Sequence, residues 1–118
     1  MRDVVLYRTR SGRRPVQEFL DALTTKQADK IVWIIEMVRT MEKVPVEYFK
    51  KLSGTDNLWE VRAQQGGNDF RLLGFFDGKR LVVLVSGFAK KTGRTPVLEI
   101  ELAHQRKRDY LGRKSDDG

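Results

Sequence analysis

The residues of this chain that are best suited to chemistry are cations placed near the ends of three consecutive apolar segments. They are Arg62 in the first segment, Arg71 in the second, and Lys90, Lys91 and Arg94 after the third. Guanidinium groups bind phosphate oxygens in a bidentate manner, and ammonium groups add a compact positive charge. The spacing therefore predicts an anion site, and phosphate is the expected ligand.

One register of two neighbouring strands would bring Arg62 and Arg71 opposite each other. If Ala63 pairs with Phe70 across the polar loop between them, the two arginines lie directly opposite each other. Directly opposed like charges destabilise a sheet, and a bound anion would relieve the repulsion. Two other interpretations remain open: Glu60 neutralises one of the arginines, or the strands pair in a different register.

The adjacent ammonium groups of Lys90 and Lys91 are candidates for proton transfer. Two neighbouring positive charges lower each other's proton affinity, so one lysine can act as a base or a proton donor near neutral pH. The alternative is that the pair belongs to a solvated loop. Among the aromatic residues, Phe88 is a candidate for stacking on a nucleic-acid base, whereas Trp59 and Phe75 are expected in the core.

Composition narrows the classes of function. The chain has 118 residues and 23 lysines and arginines against 16 acidic residues, a net charge of +7. This charge favours nucleic acid or an acidic protein as partner, or it reflects only a soluble basic surface. The absence of cysteine fits a cytoplasmic protein. The single histidine and the lack of nucleotide-binding or zinc motifs predict neither a metal nor a cofactor, and no signal peptide or membrane span is expected.

The order of predicted elements is a strand, two helices, a three-strand meander and a last helix. Strands are expected at 4–7, 58–63, 69–77 and 80–88, with helices opening at Pro15, at the capping-box pair Thr24 and Gln27, and at Thr95–Pro96. The second helix is expected to end at Val44–Pro45, and 46–57 reads as a connector. The fold class is therefore α+β, a single domain over 1–118 with an antiparallel sheet and a disordered tail at about 113–118.

The second helix carries an unusually wide apolar face, which suggests that it packs on the sheet and also on a helix or a partner. The main stripe comprises Ala28, Ile31, Val32, Ile35 and Val38, and Trp33, Ile34, Met37 and Met41 widen it.

The segments LWEVR, DFRLLGFF and LVVLVSGFAKKTGRTPVLEIELA together resemble the RelE/HigB-like toxins of type II toxin–antitoxin systems, above all the phage-derived HigB-like subgroup. The resemblance implies a RelE-like domain with helices on one face of a sheet. It also implies a ribosome-dependent mRNA endoribonuclease that cuts in the ribosomal A site without a metal. There the RNA 2′-hydroxyl attacks the adjacent phosphate. The implied partners are mRNA, the 70S ribosome and an antitoxin encoded alongside, expected to be a helix-turn-helix protein of the HigA type.

The resemblance also assigns roles to residues. Arg71 matches the arginine that stabilises the scissile phosphate, Arg62 matches a basic position of the preceding strand, and Lys90 and Lys91 match the basic pair after the last strand. The predicted catalytic residues are thus Arg71, Arg62, Lys90 and Lys91, and the predicted RNA contacts are Lys51, Phe88 and Arg94.

Two features depart from the family pattern. Glu60 stands where typical RelE members have lysine, and the C-terminal tyrosine or histidine of several relatives has no clear counterpart, because Tyr110 lies elsewhere in the pattern. The alternative function is therefore a non-catalytic binder, either a ParE-like gyrase inhibitor or a degenerate toxin subunit.

Overall fold

A computed structural model describes residues 1–91 and 93–117, which form five strands and three helices. In chain order the elements are β1 Asp3–Leu6, α1 Pro15–Asp21, α2 Thr25–Thr40, β2 Phe49–Lys51, β3 Trp59–Gln65, β4 Asn68–Asp77, β5 Leu81–Lys90 and α3 Val97–Asp117.

The five strands form one mixed sheet in the order β1-β5-β4-β3-β2. The pairs β2–β3, β3–β4 and β4–β5 are antiparallel; β3, β4 and β5 confirm the predicted three-strand meander, and β2 lies at one edge. Strand β1, however, runs parallel to β5 at the other edge. The prediction of a purely antiparallel sheet is therefore wrong. Two helices and three further strands separate β1 from β5 along the chain, so no hairpin constrains their relative direction.

Helices cover both faces of the sheet. Alternate residues of β5 divide between two cores: Val82 and Leu84 pack with α1 and α2, whereas Val83 and Val85 pack on the side of α3. This confirms that β5 is covered on both faces, and it corrects the implied placement of all helices on one face.

Helix α2 begins as predicted and ends earlier. Thr24 Oγ1 accepts a hydrogen bond from the Gln27 N–H at 3.2 Å, and Gln27 Oε1 accepts one from the Thr24 N–H at 3.1 Å, so the capping box is confirmed. The helix ends at Thr40 rather than at 44–45. The guanidinium of Arg2 donates hydrogen bonds to carbonyl oxygens at this end, including that of Val38 at 2.9 Å, and so satisfies groups that a helix terminus leaves open.

The apolar face of α2 is only partly buried. Ile31, Ile34 and Val38 are buried, but Val32 is 52% exposed and Trp33 is 51% exposed. The prediction that Val32 belongs to the buried stripe is therefore wrong. The exposed pair leaves an apolar patch on the surface of the helix.

The connector at 46–57 contains the short strand β2, which was not predicted. Its residues Phe49–Lys51 pair with Trp59–Val61 of β3. Phe49 is buried, and its ring stacks on that of Trp59 with centroids 4.8 Å apart. Three residues are too few to show the alternation that identifies a strand in a sequence.

Helix α3 continues to Asp117 through most of the segment predicted as a disordered tail; Gly118 lies outside the described residues. Ion pairs fasten its last turns: Lys114 Nζ lies 2.8 Å from Asp77 Oδ1, and Arg113 Nη2 lies 2.7 Å from Asp109 Oδ2. The first of these pairs joins the helix to the end of β4, whereas the composition of this stretch alone predicts a frayed tail.

Candidate functional site

The two arginines predicted to face each other do so. Strands β3 and β4 pair with Ala63 opposite Phe70, and Arg62 therefore lies opposite Arg71. Directly opposed side chains lie on the same face of a sheet. Because Phe88 is opposite Arg71 on β5, both arginines are on the face that α3 covers.

Glu60 lies between the two arginines. Its Oε1 is 3.4 Å from Nε of Arg71 and 3.6 Å from Nε of Arg62. Its other oxygen, Oε2, accepts a hydrogen bond of 2.6 Å from the hydroxyl of Thr95. The sequence left open whether Glu60 neutralises one arginine; in the structure one carboxylate serves both, so the pair keeps one excess positive charge.

The contact of the two arginines with Glu60 is an ion pair without a hydrogen bond. Within the described part of the chain, Nε of Arg62 and Nε of Arg71 are buried and make no hydrogen bond, and the Glu60 oxygen near them contributes only its charge. Arg71 is 5% exposed, and its Nη1 donates to the Phe70 carbonyl at 3.0 Å. A buried donor without an acceptor costs about 1–3 kcal/mol, which favours an anion that supplies one.

The environment of Arg71 perturbs its proton equilibrium without discharging it. Burial lowers the pKa of Arg71; the Glu60 carboxylate opposes this effect, the Arg62 guanidinium adds to it, and the Asp69 carboxylate opposes it. A guanidinium remains protonated in proteins at neutral pH. Arg71 is therefore a fixed positive charge and not a base.

A cleft of about 570 Å³ opens beside the arginine pair. Its described lining residues are Lys30, Glu47, Tyr48, Arg62, Ala63, Gln64, Asp69, Arg71 and Lys90. The short length of β2 helps to form it, because β2 pairs only with Trp59–Val61 while β3 continues to Gln65. The uncovered end of β3 thus becomes one wall, and Tyr48, whose carbonyl accepts the Arg62 N–H at 2.8 Å, borders it.

The structure brings three of the four predicted catalytic residues together. Arg62, Arg71 and Lys90 line the cleft, with Lys90 opposite Asp69 in the sheet. Lys91 is exposed directly after the last residue of β5 and is not among the described lining residues.

The three predicted RNA contacts are more scattered. Lys51 is exposed on edge strand β2 and Arg94 is exposed in the loop before α3; neither is among the described lining residues. Phe88 is 8% exposed and packs in the core on the α3 side, which favours a packing role over the predicted contact with a base.

Sequence reasoning missed the contribution of α2 to the cleft. Lys30 lines the cleft, and its Nζ lies 4.9 Å from the ring centroid of Trp33, which in turn packs edge-on against Tyr48. The sequence pattern identifies Trp33 only as part of the apolar face of the second helix, and Tyr48 lies in the segment that it predicts as a connector. The contact joins residues 15 positions apart in sequence, between a helix and a segment that read as a connector, and no local pattern signals it.

The side chains that commonly bind metals are not clustered in the described residues. In residues 1–91 and 93–117, no group of three or more histidine or acidic side chains is arranged to hold an ion. The one histidine, His104, lies on α3, and its Nε2 accepts a hydrogen bond from the Asp56 N–H at 3.0 Å.

The described helices include none with the length and apolar character that crossing a bilayer requires.

Comparison with models of known protein families identifies the family of this chain. A family model described as phage derived protein Gp49-like (DUF891) matches residues 18–108, which include the whole arginine pair and its cleft. No curated protein matches the chain. The chain belongs to the Gp49-like family, which is associated with the toxins of toxin–antitoxin systems and linked in general to toxins of the endonuclease type.

We expect Glu60→Gln to lower the free energy of unfolding by about 3 kcal/mol, since it removes the carboxylate that lies between two opposed guanidinium groups. Phosphate should restore stability in this variant more than in the wild type, because a bound anion replaces the missing charge. Urea unfolding with and without phosphate, at constant ionic strength, measures both effects.

Glu36→Gln is the matched control for that variant. Glu36 pairs with Arg39 on the exposed surface of α2, with its side chain 56% exposed, so its loss should change stability little and confer no phosphate response. Equal responses of the two variants to phosphate would show that the arginine pair is not an anion site.

Proposed function

We propose that this member of the Gp49-like family is the toxin of a type II toxin–antitoxin pair and acts as a ribosome-dependent mRNA endoribonuclease. The observation that carries the proposal is the opposed pair of Arg62 and Arg71, two guanidinium groups that share the single carboxylate of Glu60 beside an open cleft. Such a pair offers fixed positive charge and directed donors to a phosphate whose negative charge grows during reaction.

The proposed reaction needs no group from outside the RNA to act as nucleophile. The 2′-hydroxyl oxygen attacks the adjacent phosphorus, the bond from phosphorus to the 5′-oxygen breaks, and a cyclic phosphate and a free 5′-hydroxyl result. The 2′-hydroxyl proton is released to solvent, and the departing 5′-oxygen gains a proton. We assign stabilisation of the phosphorane to Arg71 and Arg62, whose planar donors match its oxygens.

We assign the proton for the departing oxygen to Lys90. Arginine does not release its proton at usable pH, so we assign the donor to a lysine of the cleft; the other lysine among its described lining residues, Lys30, is on α2 with its Nζ over the ring of Trp33. Lys90 lies at the end of β5 in the same cleft as both arginines, whereas Lys91 is outside the described lining. An ammonium group that carries a proton to the reacting centre can contribute about 100-fold or more to the rate.

The antitoxin is the other proposed partner. The family implies one. We propose a helix-turn-helix protein of the HigA type with an acidic segment that covers the exposed Val32 and Trp33 on α2. Charge complementarity with a chain of net charge +7 would speed the encounter, and apolar burial would set the lifetime of the complex. Action on mRNA in the 70S ribosome would place the protein in the cytoplasm.

One observation favours a second candidate, the non-catalytic binder. The Glu60 carboxylate already occupies the space between the arginines and is held there by Thr95. If the carboxylate is not displaced, no phosphate binds, and the fold would act only through its surface, as a ParE-like gyrase inhibitor or a degenerate toxin subunit does. Cleaved mRNA in cells supports the first candidate, and relaxed DNA without mRNA cleavage supports the second.

Arg71→Ala should abolish growth inhibition and mRNA cleavage on induced expression, with a fall in rate of about 100-fold or more, because a main stabiliser of the phosphorane is removed. Mapping of mRNA 5′ ends after induction measures the cleavage. Arg39→Ala, on the exposed surface of α2, is the control and should stay fully toxic. Circular dichroism must show that Arg71→Ala is folded; a folded and fully toxic Arg71→Ala protein contradicts the proposal.

Substitutions of Lys90 and Lys91 distinguish a role in proton transfer from a role of positive charge alone. Lys90→Ala and Lys90→Arg should both reduce the cleavage rate by about 100-fold or more, because arginine keeps the charge but not a transferable proton. The same changes at Lys91 should leave cleavage nearly normal. Full activity of Lys90→Arg would limit Lys90 to a charge role, and a large decrease in Lys91→Ala would contradict the assignment.

A further inference from the structure

A second concentration of positive charge lies outside the cleft, in the segment RTRSGRR between β1 and α1. Its arginines are Arg8, Arg10, Arg13 and Arg14, and all four are exposed. The proposed reaction uses none of them. We call residues 8–14 the arginine turn.

The arginine turn is closed by its own hydrogen bonds. The Thr9 N–H donates to the Arg13 carbonyl at 2.8 Å, and the Gly12 N–H donates to the Thr9 carbonyl at 3.0 Å. The Arg13 N–H also donates to Thr9 Oγ1 at 3.0 Å, and Gly12 has the left-handed φ of 93° that this turn requires. A turn fixed in this way presents its side chains at lower entropic cost on binding.

The ion pairs that the arginine turn forms with α1 and α3 leave its guanidinium groups accessible to a ligand. Arg13 donates to both carboxylate oxygens of Glu18, and Arg10 Nε lies 3.0 Å from Asp109 Oδ1. The side chains of Arg10 and Arg13 nevertheless remain 68% and 72% exposed. Ion pairs so exposed contribute little free energy, so phosphate oxygens can replace these carboxylates.

The sheet topology brings the arginine turn to the same end of the molecule as the cleft. Strand β1 is parallel to β5, so the turn follows β1 at the end of the sheet where β5 reaches Lys90. Three strand spacings separate β1 from β3, so the two strands lie roughly 14 Å apart across the sheet. A few nucleotides of single-stranded RNA span that distance.

We propose that the arginine turn binds phosphates of the same RNA strand that enters the cleft, a few nucleotides from the scissile phosphate. The proposal rests on the proposed function, which places RNA in the cleft. Arginine contacts to phosphate position a strand without reading its sequence, and each contact adds to the salt dependence of binding. The turn thus gives the protein an extended RNA footprint and raises affinity without imposing sequence preference.

The test is the salt dependence of binding to a labelled, fully 2′-O-methylated RNA, which has no 2′-hydroxyl and is not cleaved. A length of about 12 nucleotides suits a single-strand site, for which about 4–16 nucleotides is typical. Fluorescence anisotropy between about 50 and 200 mM KCl gives the dissociation constant at each salt concentration. The double variant R10A/R14A is compared with K79A/R80A, which removes the same charge at the opposite end of the sheet, between β4 and β5.

We expect R10A/R14A to reduce the slope of log affinity against log salt by about 1.4, since each phosphate of a single strand that the protein no longer neutralises lowers the slope by about 0.7. K79A/R80A should leave the slope unchanged. With an RNA of about four nucleotides, long enough for the cleft alone, R10A/R14A should bind like the wild type.

Three results would overturn the inference: equal slope changes in the two double variants, no change in R10A/R14A, or no binding of RNA by the wild type. Stronger displacement of the long RNA by polyglutamate than by unlabelled RNA would assign the turn to an acidic protein and overturn it as well. Because the ligand cannot be cleaved, the proposed reaction can fail while the slope difference persists, so the two failures are distinguishable.

Discussion

Two guanidinium groups that face each other on adjacent strands repel, and burial strengthens the repulsion. In this protein the pairing of Ala63 with Phe70 forces that geometry on Arg62 and Arg71. The sheet tolerates it because Glu60, two residues before Arg62 on the same strand, lies between them. The properties of the cleft depend on this arrangement, since it fixes where positive charge lies and which carboxylate competes with a bound anion for it.

The rest of the fold serves to hold that end of the sheet in place. The backbone carbonyl of Tyr48 anchors the edge of β3 beside Arg62, and the truncation of β2 leaves room for the cleft. Helix α3 covers the face of the sheet that carries both arginines, and the hydroxyl of Thr95 ties the loop before α3 to Glu60. Displacement of Glu60 by a phosphate would break its hydrogen bond to Thr95 and so alter the anchoring of the loop that contains Lys91 and Arg94.

The parts that the sequence predicted well depend on local patterns. The capping box of Thr24 and Gln27 involves residues three apart, and the register of β3 on β4 follows from alternation on both sides of one short loop. Identification of Arg62, Arg71 and Lys90 as neighbours needed only that register and the next hairpin.

The parts that the sequence did not predict depend on contacts between distant segments. The parallel pairing of β1 with β5 joins residues almost 80 positions apart, and β2 is too short to show a period. The early end of α2 involves Arg2, which lies far from it in sequence. Burial of Phe88 follows from the packing of α3, which no pattern within β5 reveals.

The central claim is that Arg62 and Arg71 bind a phosphodiester by exchanging the Glu60 carboxylate for phosphate oxygens. NMR of the arginine Nε–H groups, during titration of a 2′-O-methylated dinucleotide, tests it most directly. The account predicts that the Nε resonances of Arg62 and Arg71 shift together with one saturation curve, while that of Arg39 on the surface of α2 does not respond. Unchanged Arg62 and Arg71 resonances, or equal shifts in all three, would contradict it.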